Sequence, residues 1–417
     1  MPRPRGAQGY RGLHSGGQIR RCGALLPPSP LPWRDRLQQA LAALPVERRR
    51  TLRAYATPVA APALHPQGGA APLLDLASND YLGLSRHPAV LQAAAAELAA
   101  SGLGAGASRL VSGTRPVHLA LEEALAAWLG RERVLLFPSG FQANLAAVTA
   151  LADRQTVVLA DRLIHHSLLA GVRCSGARLR RFAHNDLADL ERLLALEQRE
   201  RPQGRRLVLC ESLYSMEGTS PPLAELAALC AHHATPLLVD EAHALGVLGP
   251  GGRGLAHGLR EVALVCGTFG KAFGSGGAFL AADEPLGEWL LQSSGAFRYT
   301  TALAPPLAAG ALAALSLLQG DPGAGQALQE RAERWRQALA AAGLPRPAGE
   351  GPILPLVVGD DGRALALQRQ LERAGLLTVA IRPPTVPAGT ARLRLVLRRD
   401  LPANTRGRLL EALSAAG

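Results

Sequence analysis

The chain has 417 residues, 48% of them hydrophobic, with 45 Gly and 31 Pro, which suits a globular protein of two or three structural units. Its formal net charge is +12, but residues 1–60 hold 11 Arg against only Asp35 and Glu47, so the remaining body is nearly balanced and shows no basic stripe interleaved with aromatics that would indicate nucleic-acid binding. No apolar run approaches the roughly 20 residues needed to span a bilayer, and five scattered cysteines without a CxxC pair indicate neither a zinc site nor a disulfide framework.

Residues 1–30 carry five Arg and no acid among much Gly and Pro. A disordered basic extension is expected there, with an Arg-rich organelle presequence and a functional arm as the competing readings; the lack of a continuous apolar stretch argues against a secretory signal. Residues 31–77 are expected to form an N-terminal helical segment, because 33–57 has amphipathic spacing interrupted at Pro45. A short strand and turn within 73–88 then opens the main body. The stretches 88–102 and 116–130 read as helices stopped by Gly102 and Gly130.

From 133 onward, short apolar runs alternate with helical patterns, which predicts an α/β fold: a mostly parallel sheet covered by helices. Strands are expected at 133–137, 156–160, 206–210, 236–239 and 263–267, each ending in polar or glycine-rich residues. Cys210 and Cys266 lie in such apolar runs and read as buried thiols of a reducing cytoplasm. A large domain over 78–305 is expected to be followed by a smaller C-terminal α/β unit over 306–417, with a long helical stretch to Leu344 and strands at 353–358 and 392–397.

Ligands of open α/β sheets bind outside the carboxyl ends of the strands. After 133–137, the run "PSGFQAN" (138–144) puts the amides of Gly140 and Phe141 at a helix start, which is either an ordinary turn or a phosphate site. His165 and His166 are adjacent in sequence and share no face, so they do not make a two-histidine metal site, and no metal is expected. A histidine there is either structural or stacked on a flat ligand. Asp240 ends the strand at 236–239, either capping the next turn or serving as the anion for a protonated ring nitrogen.

Of the 45 Lys and Arg residues only one is lysine, Lys271, within "GTFGKAFG" (267–274). Val265 and Ala272 break a phosphate-loop reading of this stretch, and "GLGAGASR" lacks the third glycine of a dinucleotide fingerprint. A lysine between glycines at a strand end, with a carboxylate and histidines on neighbouring strands, fits a Schiff base with the aldehyde of pyridoxal 5'-phosphate. An arginine, permanently protonated, could not form it.

From about residue 33 to the end, the chain resembles the α-oxoamine synthases, pyridoxal-phosphate enzymes of fold type I. The resemblance rests on eight motifs in order: "SNDYLGL" (78–84), "PSGFQAN" (138–144), "DRLIHHSLL" (161–169), "ESLYSMEG" (211–218), "VDEAHALG" (239–246), "GTFGKAFG" (267–274), "YTTALAPP" (299–306) and "IRPPTVPAGTARLRL" (381–395). The last is most similar to the biotin branch, which joins L-alanine to a pimeloyl thioester; a sibling synthase using glycine, and a binding protein on a degenerate enzyme fold, are the alternatives.

The resemblance implies that Lys271 is the Schiff-base lysine and general base, Asp240 the partner of the ring nitrogen and His165 the stacking residue. It implies Ser215 and His243 at the phenolic oxygen, and Gly140, Phe141 and Thr268 at the phosphate. Thr300 or Thr301 would reach the phosphate bound by the other subunit of a homodimer with shared active sites. Arg394, with Arg392 as fallback, would hold the amino-acid carboxylate, and Arg53, Asn79, Arg382 and Thr385 would contact the acyl substrate. Coenzyme A and acyl carrier protein both remain open as thiol carrier.

Overall fold

A computed structural model describes residues 32–57, 62–69 and 71–414. The basic extension expected over 1–30 lies outside them. The chain divides into two compact units at Thr51. In the first, the helix Trp33–Ala42 is followed by a single turn at Val46–Arg48, and the Arg49 guanidinium donates to the carbonyls of Leu41, Ala42 and Leu44.

The second unit holds fourteen strands among the described residues: β1 (Tyr55–Ala56), β2 (Ala63–Pro66), β3 (Leu73–Asp75), β4 (Arg133–Phe137), β5 (Thr156–Asp161), β6 (Arg178–Phe182), β7 (Arg205–Glu211), β8 (Leu237–Asp240), β9 (Val262–Thr268), β10 (Ala278–Ala282), β11 (Ile353–Gly359), β12 (Leu376–Leu377), β13 (Val379–Ile381) and β14 (Ala391–Val396). Seven form the central sheet in the order β4-β10-β9-β8-β7-β5-β6, and all of its pairs are parallel except those made by β10. Expected fold and observed fold agree: a mixed, mostly parallel sheet with helices around it.

Side chains of each central strand alternate between two apolar clusters. Val134 and Leu136 enter one cluster, Leu135 and Phe137 the other; Val208 and Cys210 divide from Leu207 and Leu209 in the same way. Both faces are therefore covered, and this is why the strands read as unbroken apolar runs rather than alternating ones. Each such Leu or Val removed from water contributes about 1.5–3 kcal/mol.

Three expectations are corrected. The N-terminal segment to 77 is helical only as far as Arg48, after which β1, β2 and β3 pair antiparallel and β12 joins β3 in parallel. The helical stretch from 306 is two helices, Pro305–Gly320 and Ala324–Ala341, because Pro322 cannot continue the first ladder. Finally, β6 and β10 were not expected. β6 is an edge strand reading "RLRRF", whose arginines hide the apolar signal, and β10 is alanine-rich and owes its strand to the return of the chain after β9.

Parallel pairing aligns the strand ends. Glu211 stands opposite Asp240 and Asp240 opposite Cys266, while Ala278 of β10 stands opposite both Thr268 and Phe137. The ends of β4, β7, β8 and β9 thus lie along one edge. A separate antiparallel sheet, β11-β14-β13, carries Arg392 and Arg394 on β14.

Candidate active site

Nine residues, 269–277, connect β9 to the antiparallel β10, too few for a crossover helix, so the chain turns tightly through "FGKAFGSGG". Phe269, Ala272 and Phe273 are buried and anchor the turn, and Phe269 N–H donates to Gly277 O at 2.9 Å. Gly267 leaves room for a close approach: a Cβ there would strike the Phe279 ring and lie 2.5 Å from Leu245 Cδ1. The main chain around Lys271 is thereby fixed. Its amine makes no hydrogen bond or ion pair among the described residues. Burial outweighs the attraction of Asp240 and Glu211 and lowers its pKa to about 8.

Asp240 ends β8 and is 5% exposed. Its Oδ1 accepts the Ala242 N–H at 2.9 Å and its Oδ2 accepts the Asn144 Nδ2–H at 2.6 Å. Opposite it, burial first and the Asp240 charge second hold the Glu211 carboxyl well above the usual range. His165 begins the helix His166–Ser175 and caps it, its Nδ1 lying 3.3 Å from Ser167 N and 2.7 Å from Ser167 Oγ. Burial pushes His165 down despite the pull of Asp240. His243 is buried, its Nδ1 lies 2.5 Å from the Tyr81 hydroxyl, and burial followed by the Lys271 charge keeps it neutral.

Gly140 opens the helix Gly140–Leu151, and a Cβ on it would lie 3.7 Å from Thr268 Cβ, so the helix start and the end of β9 adjoin. Ser139 caps the Gln142 N–H at 3.3 Å and leaves those of Gly140 and Phe141 without intrahelical partners. Thr268 Oγ1 donates to Gly277 O at 2.9 Å and accepts the Gly270 N–H at 3.2 Å. Phe141 is exposed, its ring 6.4 Å from that of His166.

Arg394 reaches across from β14. Its Nε donates to Ser215 O at 2.6 Å and its Nη2 to Asn79 Oδ1 at 2.9 Å. No carboxylate among the described residues pairs with it, although it is buried. Arg392 differs: its Nη1 donates to Glu217 Oε1 at 3.2 Å and Met216 O at 3.1 Å. The structure thus gathers Lys271, Asp240 and His165 with the Asn79–Arg394–Ser215 group, and sets Gly140 beside Thr268. Arg53 instead pairs with Glu372 at 2.6 Å and lies over the Tyr55 ring, while Thr385 N–H donates to Arg382 O at 3.1 Å in the turn after β13. Among the described residues, Thr300 Oγ1 donates only to Thr301 O, at 3.5 Å, and Thr301 is exposed.

Tyr81, Asn144, Ser167, Glu211 and Glu217 lie within the sequence motifs but received no role from them. For Asn144 a signal existed: it stands four residues after Gly140, on the same helix face. Pyridoxal phosphate fits this set, since an amine without a partner, a held carboxylate and a helix start beside a threonine match its aldehyde, ring nitrogen and phosphate. Among the described residues no cluster could hold a metal ion, and no helix is long and apolar enough to cross a membrane.

The family model of class I and II aminotransferases matches residues 71–413. The chain is 44% identical to the 8-amino-7-oxononanoate synthase of Chromohalobacter salexigens over 347 residues, 82% of this chain and 89% of that one. It is 47% identical to the synthase of the same name from Acidithiobacillus ferrooxidans over 332 residues, 78% and 83% of the two chains. Among solved structures it is similar to an 8-amino-7-oxononanoate synthase from Francisella tularensis (TM-score 0.71, 28% identity, 82% and 97% covered). It is also similar to a serine palmitoyltransferase variant from S. paucimobilis solved with bound PLP and myriocin (TM-score 0.83, 28% identity, 92% and 96% covered).

Proposed function

The chain belongs to the class I and II aminotransferase family and, within it, to the 8-amino-7-oxononanoate synthases, and from that membership we propose that it joins L-alanine to a pimeloyl thioester, releasing 8-amino-7-oxononanoate, carbon dioxide and the free thiol carrier. It is a pyridoxal-phosphate enzyme and a carbon–carbon bond-forming acyltransferase of biotin synthesis. The observation that carries the reading is the sole lysine, its pKa near 8, set among Asp240, His165 and Arg394, with no partner for the amine and no carboxylate for Arg394 among the described residues.

When bound, the cofactor supplies an aldehyde that takes up an amine and a ring that accepts an electron pair from the adjacent carbon. Each residue has a part around it. Lys271 Nζ would hold the cofactor's aldehyde, and as a free amine it would take the Cα proton of alanine as general base. An unshifted lysine would be almost wholly protonated at neutral pH; one near 8 is neutral in a useful fraction.

Arg394 fixes the alanine carboxylate by charge-assisted hydrogen bonds, its geometry set beforehand by Ser215 O and Asn79 Oδ1. Asp240 would hold the protonated ring nitrogen, and His165 would pack against the ring. His243, kept neutral, serves the phenolic oxygen with Ser215. The helix start at Gly140 and Phe141, with Thr268, would take the phosphate.

The enzyme acts as a cytoplasmic homodimer in which Thr300 or Thr301 completes the partner's phosphate site. Arg53, Asn79, Arg382 and Thr385 contact the acyl chain. The test is an assay of the purified enzyme with L-alanine, glycine or L-serine against pimeloyl-coenzyme A and pimeloyl-acyl carrier protein, with product mass as readout. The reading predicts 8-amino-7-oxononanoate from L-alanine and identifies the carrier; a product from glycine or L-serine alone would replace it with a sibling activity.

A further inference from the structure

Asn144 projects from the first turns of the helix Gly140–Leu151 into the space between Asp240 and Ser167, and all three side chains are buried. Its Nδ2 lies 2.6 Å from Asp240 Oδ2 and 2.9 Å from Ser167 Oγ. The chemistry of the partners settles which way the amide points. A carboxylate only accepts, so the nitrogen must face it, and the second N–H of the same nitrogen goes to Ser167. Among the described residues the Oδ1 is left buried without a partner, which is the cost of that orientation.

Ser167 Oγ, already accepting from Asn144, has one proton to give, and His165 Nδ1 is 2.7 Å away. The Ser167 backbone N–H also points at that Nδ1, at 3.3 Å. Two donors converge on one ring nitrogen, so it carries the lone pair and the proton of the neutral imidazole sits on Nε2.

Resting on the pyridoxal-phosphate reading of the site, we propose that Asn144 is a positioning residue which, through a single amide nitrogen, orients the Asp240 carboxylate and, by way of the Ser167 hydroxyl, fixes His165 as the Nε2–H tautomer. The group under the ring nitrogen and the group on the ring face are then set by one side chain. Because Asn144 sits one helical turn beyond the phosphate-binding start at Gly140, the same helix ties both to the phosphate site.

Three measurements on the holoenzyme test this. In protein labelled with 15N-histidine, the His165 ring should show the Nε2–H pattern in the wild type and a mixture of tautomers in Ser167→Ala, with Ser167→Thr restoring the wild-type pattern; an Nδ1–H ring in the wild type overturns the proposal. In D2O, Asn144→Leu should slow exchange of the Cα proton of L-alanine by roughly 10- to 100-fold at saturating alanine, the scale for losing a group that orients a reacting one, with the alanine KM changed by less than about threefold. Ser167→Ala should slow exchange less than Asn144→Leu, since it leaves the Asp240 bond intact. If wild-type enzyme exchanges the proton and Asn144→Leu does so equally fast, the positioning role is wrong and the function stands. If the wild type does not exchange it, the reading of the site falls, and the tautomer measurement alone decides the link from Asn144 to His165.

Discussion

Arg394 and Asn79 meet at 2.9 Å, guanidinium Nη2 to amide oxygen, although 315 residues separate them in the chain. The contact joins the strand that carries the arginine to the "SNDYLGL" turn and leaves a buried guanidinium whose hydrogen-bond partners are uncharged. A buried cation without an anion is costly, and a carboxylate bound there would remove that cost.

Arg394→Ala is therefore expected to raise the KM for L-alanine by about 10- to 100-fold, the loss of charge-assisted bonds worth roughly 1.5–3 kcal/mol. Arg392→Ala behaves differently, because its cation answers Glu217. It should lower thermal stability by roughly 1–3 kcal/mol and leave the alanine KM within about threefold. Steady-state kinetics and melting curves of the two variants check both statements.

The pH dependence follows from Lys271. Burial lowers its pKa from 10.5 to about 8, so the amine is protonated below that value and neutral above it. In cofactor-free enzyme, the rate of covalent capture of pyridoxal phosphate should rise with pH through about 8 and then level off. A rate still climbing toward 10.5 would mean that the site does not shift its lysine.

Gly267 is a packing glycine. A methyl there collides with the Phe279 ring and Leu245, both fully or almost fully buried and unable to retreat. Gly267→Ala should cost about 1–3 kcal/mol of stability, with reduced cofactor occupancy because the strand leading to Lys271 is displaced. Denaturant unfolding against the wild type measures the cost.

Much of this site was legible in the sequence because its residues sit at the ends of strongly apolar strands. The positions of Asp240 after "PLLV" and Lys271 after "ALVCG" follow from that pattern, whereas their roles came from the family resemblance. The strands β6 and β10 escaped it, since "RLRRF" is an edge and "AFLAA" carries no β-branched residue; both depend on neighbours that only the fold supplies. The division between Arg394 and Arg392 was also out of reach. The two lie on one face of β14, two residues apart, and only Glu217, Ser215 and Asn79, brought in from distant segments, tell them apart. For the same reason Asn144 drew no role from its motif: Asp240 and Ser167 become its neighbours only when β8 and the helix His166–Ser175 pack beside it.

The central claim is that the amine of the sole lysine is the chemistry of this protein, and reduction tests it most directly. Holoenzyme treated with borohydride, digested and read by mass spectrometry should carry one pyridoxyl group per chain, on Lys271 in the peptide that contains residues 267–277, and Lys271→Arg should carry none. A reduced wild-type enzyme with an unmodified Lys271, or a Lys271→Arg variant that still turns over, would contradict it.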